Sequence, residues 1–170
     1  MIVATDVYYK DSIAFASGVL FRSWSDEYPF EEKQSHLTNV KSYIPGQFYI
    51  RELPCILSLL KTLNSLPDII IIDGNVWLGK EKKPGLGKYL FDSLKEHCAV
   101  IGVAKSPFGI MPEQAKVYRA KSHRPLYVTS IGIDEEEAKN NIQQMYGQGR
   151  IPYMLKRADQ LSREASKTSI

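Results

Sequence analysis

The feature that most constrains this chain is a run of isoleucines, Ile69 to Ile72, closed by Asp73-Gly74. A strand with one solvated face alternates apolar and polar residues. An unbroken β-branched run has no polar face and reads as a strand buried on both sides. Ala99 to Ala104 is a second run of this kind. Buried strands imply helices on the faces of their sheet. Between the two runs, a loop rich in Gly, Lys and Pro (Gly79 to Gly87) leads into a helix expected over Lys88 to Lys95. Upstream, Leu53, Ile56, Leu57, Leu60 and Leu63 recur at helical spacing. Pro54 is expected in that helix's first turn, where a missing N–H costs nothing.

The first third is patterned differently. Ile2 to Tyr9, Ile13 to Trp24 and the more polar Phe30 to Val40 read as a three-strand meander, broken at Lys10-Asp11-Ser12 and Ser25-Asp26-Glu27. Downstream, Tyr118 to Arg119 and Leu126 to Thr129 read as short strands around a basic turn. Ile133 to Tyr146 reads as a helix with an acidic first turn, and Pro152 to Glu164 as a last helix. A meander followed by βα units predicts an α/β fold: one mixed central sheet flanked by helices, the order also found in the ribonuclease-H-like core. A single domain is expected over residues 1–166, with 167–170 as a frayed tail.

Composition narrows the class. A chain of 170 residues suits one domain with its own core. The net charge of +3 does not by itself argue for nucleic acid, although local patches matter more than totals. Cys55 and Cys98 fall inside apolar segments, without CxxC or Cys/His spacing, which suits buried thiols in a reducing cytoplasm. Met1 runs straight into a strand, so no signal peptide is expected, and no apolar run approaches the ~20 residues of a membrane span. His36, His97 and His123 lack the spacing of a triad or a zinc site. Gly85-Leu86-Gly87-Lys88 fails as a P-loop, because Lys82 stands where Gly is required and Tyr89 where Ser/Thr is.

The chemistry-bearing residues are acids. Asp6 interrupts an apolar strand, Glu52 lies at the mouth of the first long helix, and Asp73 ends the most hydrophobic strand. A carboxylate inside or at the tip of a buried strand is costly unless paired or bound to a cation. Converging carboxylates repel one another, and a divalent ion relieves that repulsion; hard oxygen ligands suit Mg²⁺ or Mn²⁺. Singly, Asp73 also fits a turn former and Glu52 a helix cap, whereas Asp6 caps nothing.

Several segments resemble the endonuclease V family. Ser42-Tyr43-Ile44-Pro45-Gly46 leading to Arg51-Glu52 is similar to its Tyr-Ile-Pro-Gly loop and Arg-Glu. Pro67 to Gly74 resembles its strand ending in Asp-Gly, and Ile101-Gly102-Val103-Ala104-Lys105 its Gly-Val-Ala-Lys strand end. Asp6-Val7-Tyr8-Tyr9 resembles its first Asp-Val-x-Tyr, and Arg150-Ile151-Pro152 with Arg157-Ala158-Asp159 its terminal helix. The resemblance implies a Mg²⁺-dependent nuclease, with Mn²⁺ as a substitute, cutting DNA or RNA on the 3′ side of deaminated adenine, one nucleotide beyond it; a monomer is expected. Carried over by position, Asp6, Glu52 and Asp73 would be the metal carboxylates and Asp159 an outer or additional ligand. Lys105 would contact the scissile phosphate. Tyr43, Ile44 and Pro45 would hold the strands apart while the base turns out, an aromatic ring and a stiff Pro replacing lost stacking. Gly46 and Gly74 would let backbone groups approach the base edge.

The chain also departs from that pattern. The family's Asp-Gly is followed by His-Gly and then Ala-His-Pro-Arg, whereas here the segment is Asn75-Val76-Trp77-Leu78-Gly79-Lys80-Glu81-Lys82-Lys83-Pro84. Ile133 replaces a His, and no counterpart of the family's N-terminal helical segment is expected within this sequence. Asn75 can still hydrogen-bond, and Lys80, Lys82 and Lys83 are candidates for the phosphate role. The basic clusters Arg119/Lys121/Arg124 and Lys156/Arg157/Arg163 are further, weaker candidates for a phosphate track. Two competing readings follow: a nucleic-acid-binding module that lost catalysis with the histidines, and a defence nuclease with a changed base pocket.

Overall fold

Strand β1 (Ile2–Lys10) turns through Asp11-Ser12 into β2 (Ile13–Phe21), pairing antiparallel along its whole length. β3 (Glu31–Leu37) adds to β2 and forms one edge of the sheet, its alternating half-buried and exposed polar residues suiting an edge. The chain continues through α1 (Phe48–Leu60), β4 (Ile69–Asp73), β5 (Trp77–Leu78), β6 (Lys83–Pro84), α2 (Leu86–Ser93) and β7 (Ala99–Ala104). A 3₁₀ turn at Glu113–Ala115 precedes β8 (Lys116–Val117), β9 (Leu126–Ile131), α3 (Glu135–Gln144) and α4 (Tyr153–Thr168). This computed structural model describes residues 1–95 and 97–168.

The seven strands of the main sheet run in the order β3-β2-β1-β4-β7-β9-β8. β4 is parallel to both β1 and β7, and the remaining pairs are antiparallel. Ile70 and Ile72 pack with Ile56 and Leu60 of α1 and with Leu90 of α2. Ile71 on the opposite face packs with Ile142 of α3 and with Met154, Ala158 and Leu161 of α4. The isoleucine run is therefore covered on both faces by helices, as an unalternating strand requires.

Several boundaries differ from expectation. Pro54 lies in the middle of α1, because the helix begins at Phe48; Glu52 is thus carried on the helix rather than at its mouth. The Gly/Lys/Pro loop forms the two-stranded ribbon β5–β6, Trp77 pairing with Pro84 and Leu78 with Lys83. Trp77 Nε1 donates to the Ser130 carbonyl at 3.0 Å, which anchors the ribbon and explains why a polar, Gly-rich segment is ordered. Tyr118 and Arg119 lie outside the sheet, just past β8. Helix α4 runs through Lys167 and Thr168, so the first part of the expected tail is helical; 169–170 lie outside the described residues. Among the described residues no helix is long and apolar enough to cross a membrane.

One glycine fixes the route of the chain after Asp73. A Cβ on Gly102 would stand 2.6 Å from the Gly74 carbonyl oxygen and 2.8 Å from the Val76 nitrogen. The segment after β4 thus folds across the backbone of β7, held by Gly74 N–H donating to Val103 O and Val76 N–H donating to Thr129 Oγ1. Gly102→Ala should cost about 1–3 kcal/mol, the usual penalty of overpacking a rigid site. Chemical denaturation would measure it, and loss of activity beyond the loss of fold would show that the Asp73 turn has moved.

Candidate active site

The site is built where two parallel strands part. The ladder between β1 and β4 ends at Ala4–Ile71, and the following residues of each strand flank a crevice beyond the sheet. Ile2 and Ala4 share the α4-side core with Ile71, so the alternation of a strand puts Asp6 and Asp73, two residues further on, on that side as well. Neighbouring strands lie about 4.8 Å apart, which brings the two carboxylates level and close. Glu52 reaches the same crevice from α1. All three line one cavity of about 570 Å³, together with Lys105 at the end of β7, and that size lies within the usual range of ligand pockets.

Burial differs among the acids. Asp6 is 9% exposed and Glu52 5% exposed, whereas the Asp73 side chain is 40% exposed. Burial pushes the Asp6 carboxyl above its ordinary range; the Ser162 hydroxyl, donating to Oδ2 at 2.7 Å, opposes this, and the charges of Asp73 and Asp159 add to it. Glu52 is pushed well above the ordinary range, first by burial and then by Asp6 and Asp73, with Arg51 and then the neighbouring Tyr9 hydroxyl opposing. Its Oε2 is buried and without a hydrogen-bond partner. A desolvated carboxylate oxygen that no protein donor satisfies, beside two further acids, has the hard-oxygen chemistry that a Mg²⁺ or Mn²⁺ ion would complete. Among the described residues no three acidic, His or Cys side chains stand together as a group that could hold a metal ion as placed. Asp6, Glu52 and Asp73 share a cavity rather than a finished coordination sphere.

The other residues singled out in the sequence divide. Lys105 Nζ lies 3.2 Å from Asp73 Oδ2, and both side chains are half-exposed, so the pair is weakly held and the ammonium can leave it. Asp159 does not line the cavity. It pairs with Arg163 at 3.0 Å, and only its charge reaches Asp6. Tyr43, Gly46, Gly74 and Asn75 line the cavity; Ile44 and Pro45 are exposed beside Tyr43 without lining it. Gly46 and Gly74 both have positive φ (77° and 148°). Lys80, Lys82 and Lys83 are exposed on the β5–β6 ribbon and its turn, Lys83 within 3.3 Å of Glu81. Arg119 is not available for phosphate, because it is buried with its guanidinium donating to main-chain carbonyls of residues 143–150. Arg157 is likewise occupied, by Glu32 and Glu164.

Sequence reasoning missed the supports of the site. Ser162 holds Asp6. Tyr9 stands under the Arg51 guanidinium, 3.7 Å from ring centroid to Cζ, beside Glu52. Tyr49 of α1 stacks on Tyr89 of α2 at 3.9 Å and 17°, fastening together the helices at the cavity wall. Phe48 and Phe108 are exposed large apolar groups at the rim, facing the cavity along with Tyr43. Tyr9 and Arg51 stand in the Asp-Val-x-Tyr and Arg-Glu motifs, and Phe108 in a short Ser-Pro-Phe-Gly turn directly after Lys105, while Ser162, Tyr89 and Phe48 carry no such signal.

Residues 1–120 match the family model for endonuclease V. The endonuclease V of Nocardia farcinica is 25% identical over 99% of this chain and 82% of its own length. That of Rhodospirillum centenum is 31% identical over 68% of this chain and 56% of its own length. Among solved structures, endonuclease V from Streptomyces avermitilis superposes with a TM-score of 0.78 at 25% identity, covering 98% of this chain and 81% of its own. Ciona intestinalis endonuclease V, in complex with a 24mer DNA containing an inosine followed by a ribo-adenosine, gives 0.80 at 20% identity, covering 98% and 85%. These likenesses show the fold to be ribonuclease-H-like.

The raised Glu52 carboxyl has a consequence for stability. In the unfolded chain it ionises near its ordinary value of 4.5, while the folded chain keeps its proton to higher pH. Stability of the metal-free protein therefore falls as pH rises from the ordinary value through the raised one, and levels off above it. Glu52→Gln should raise the melting temperature of the metal-free protein at neutral pH, flatten its decline with pH, and shrink the stabilisation that added Mg²⁺ confers. Melting curves across pH, with EDTA or Mg²⁺, read all three.

Proposed function

Because the chain belongs to the endonuclease V family, we propose that it is a metal-dependent endonuclease hydrolysing the phosphodiester 3′ to a deaminated adenine (inosine) in DNA or RNA. On this reading it acts as a monomer in the cytoplasm. The observation that carries the reading is the cavity itself: buried Asp6 and Glu52 beside Asp73, an unpartnered Glu52 oxygen, and an aromatic rim.

Asp6, Glu52 and Asp73 would hold the cation, with Asp159 as an outer group acting on Asp6 through its charge. The chemistry that Mg²⁺ or Mn²⁺ supplies in such a site is activation of water and stabilisation of the leaving 3′-oxygen. Lys105 would exchange its exposed pairing with Asp73 for a phosphate oxygen, placing an ammonium where charge develops. Tyr43, Ile44 and Pro45, exposed at the rim, would replace the stacking of an extruded base. The backbones of Gly46 and Gly74 and the amide of Asn75 would line the space that the base enters. Lys80, Lys82 and Lys83 would follow the phosphates of the strand outside it.

Asn75 is the specific reason to keep a second reading, that of a binding module without catalysis. It stands where the family pattern has His, and an amide cannot shuttle a proton as an imidazole does. Labelled single- and double-stranded oligonucleotides, with and without inosine, in Mg²⁺, Mn²⁺ or EDTA, separate the readings. Metal-dependent cutting confined to inosine strands is the expected result. Asp73→Ala should lower it by well over the roughly 10- to 100-fold typical of losing a supporting outer-sphere group. Binding without cutting would replace the enzyme with the module, and equal cutting of inosine-free strands would point to altered base specificity.

A further inference from the structure

Arg150 lies in the connection between α3 and α4, away from the carboxylates, and carries no role in the reading above. Its guanidinium nevertheless closes on the end of β7. Nη2 donates to the carbonyl of Lys105 and, at 2.8 Å, to that of Pro125, while Nε donates to the carbonyl of Arg124 at 3.1 Å. Lys105 is the first residue beyond β7, at a point where the β7–β9 ladder has ended at Ala104–Tyr127. The backbone carbonyl of Lys105 is thus tied to the turn before β9 through this side chain.

The tie is anchored at its other end. The Arg150 carbonyl accepts from Nη1 of Arg119, which also donates to Gly149 O at 3.0 Å. Nη2 of Arg119 donates to Met145 O at 2.6 Å. Arg119 is 4% exposed, so this basket on residues 143–150 is part of the interior. One arginine holds the connection and the next reaches from it to Lys105. A lysine side chain has many rotamers, and its useful position at a phosphate depends on where its Cα is held.

We propose that Arg150 is a positioning residue that sets the placement of Lys105 at the phosphate. This rests on Lys105 acting as proposed above. Arg150 does not line the cavity, and it is half-buried, so its removal opens no deep void. Its action runs through the Lys105 backbone and not through the acids.

A double-mutant cycle tests this on the full chain, using an inosine-containing oligonucleotide in Mg²⁺. Arg150→Ala should lower kcat roughly 10- to 100-fold with KM little changed, the scale expected of a group misplaced by about 1 Å. In a Lys105→Ala background the same substitution should change kcat by less than about twofold, because the group it positions is gone. Arg150→Lys, which keeps one donor arm, should fall between. Equal losses in both backgrounds would overturn the inference and mark Arg150 as a direct nucleic-acid contact or a general structural prop. No loss on Arg150→Ala in the protein that keeps Lys105 would overturn it too. If the Ala variant does not fold, the cycle is run with Arg150→Gln. If the protein binds the oligonucleotide without cutting it, the catalytic reading fails and the inference, which concerns kcat, falls with it, whereas equal losses in a protein that cuts overturn the inference alone. A protein that neither binds nor cuts overturns both.

Discussion

Taking two carboxylates out of water is the constraint around which this molecule is arranged. Asp6 and Glu52 are nearly sealed from solvent, next to each other and to Asp73. Each ionised group buried in this way costs free energy that packing elsewhere must offset. The protein donors at hand are few: the Ser162 hydroxyl serves Asp6, and Glu52 keeps an oxygen without any partner. A folded chain tolerates this only if the surrounding elements leave the acids nowhere else to go. Here β1 is locked by a full-length antiparallel ladder to β2, and α1 is packed through Ile56, Leu59 and Leu60 against the sheet. The desolvated oxygens that make the site costly are the same ones that would hold the proposed cation.

The arginines show how little charge counts reveal about a binding surface. The chain has an excess of only three basic residues, and several of its arginines are engaged within the protein. Arg119 spends its donors on carbonyls of the α3–α4 connection, Arg157 bridges Glu32 and Glu164, and Arg150 ties three carbonyls near Lys105. A planar fork of donors suits carbonyls at the ends of strands, where ladder partners have run out. The lysines on the ribbon after β4 are different: Lys80, Lys82 and Lys83 remain at the surface, close in the chain to the cavity-lining Leu78 and Pro84. Surface ammonium groups exchange ions at little cost, which is what a transient contact with phosphates needs.

The rim of the cavity is assembled from separate parts of the chain. Tyr43 and Phe48 come from the entry to α1, Phe108 from the turn after β7, and Leu78 and Pro84 from the ribbon. Two of these parts are held by contacts remote in sequence: Tyr49 on Tyr89 fastens the α1 side, and Trp77 on the Ser130 carbonyl fastens the ribbon. Close backbone crossing at Gly102 settles the height of the Asp73 turn relative to β7. The cavity is therefore a product of three loops that the sheet brings together beyond the carboxyl ends of β4 and β7, the place where α/β sheets commonly carry their sites.

What the amino-acid order determines by itself is whatever depends on local pattern. The isoleucine run, the opening meander and the amphipathic α1 face declare the mixed sheet and its helices, since burial on one or both faces is written in residue spacing. Asp6 stands out for the same reason, a charge inside an apolar strand. Boundaries were less legible: Pro54 suggested a helix start where α1 was already under way, and the ribbon after β4 looked like loop because its anchor, Ser130, is remote. Only the tertiary structure decided which charges face the crevice and which are consumed. Arg119 and Lys83 look alike in sequence, yet one is sealed among carbonyls and the other is exposed. Solvation and partner distance are properties of the packed chain, and no spacing rule along the sequence encodes them.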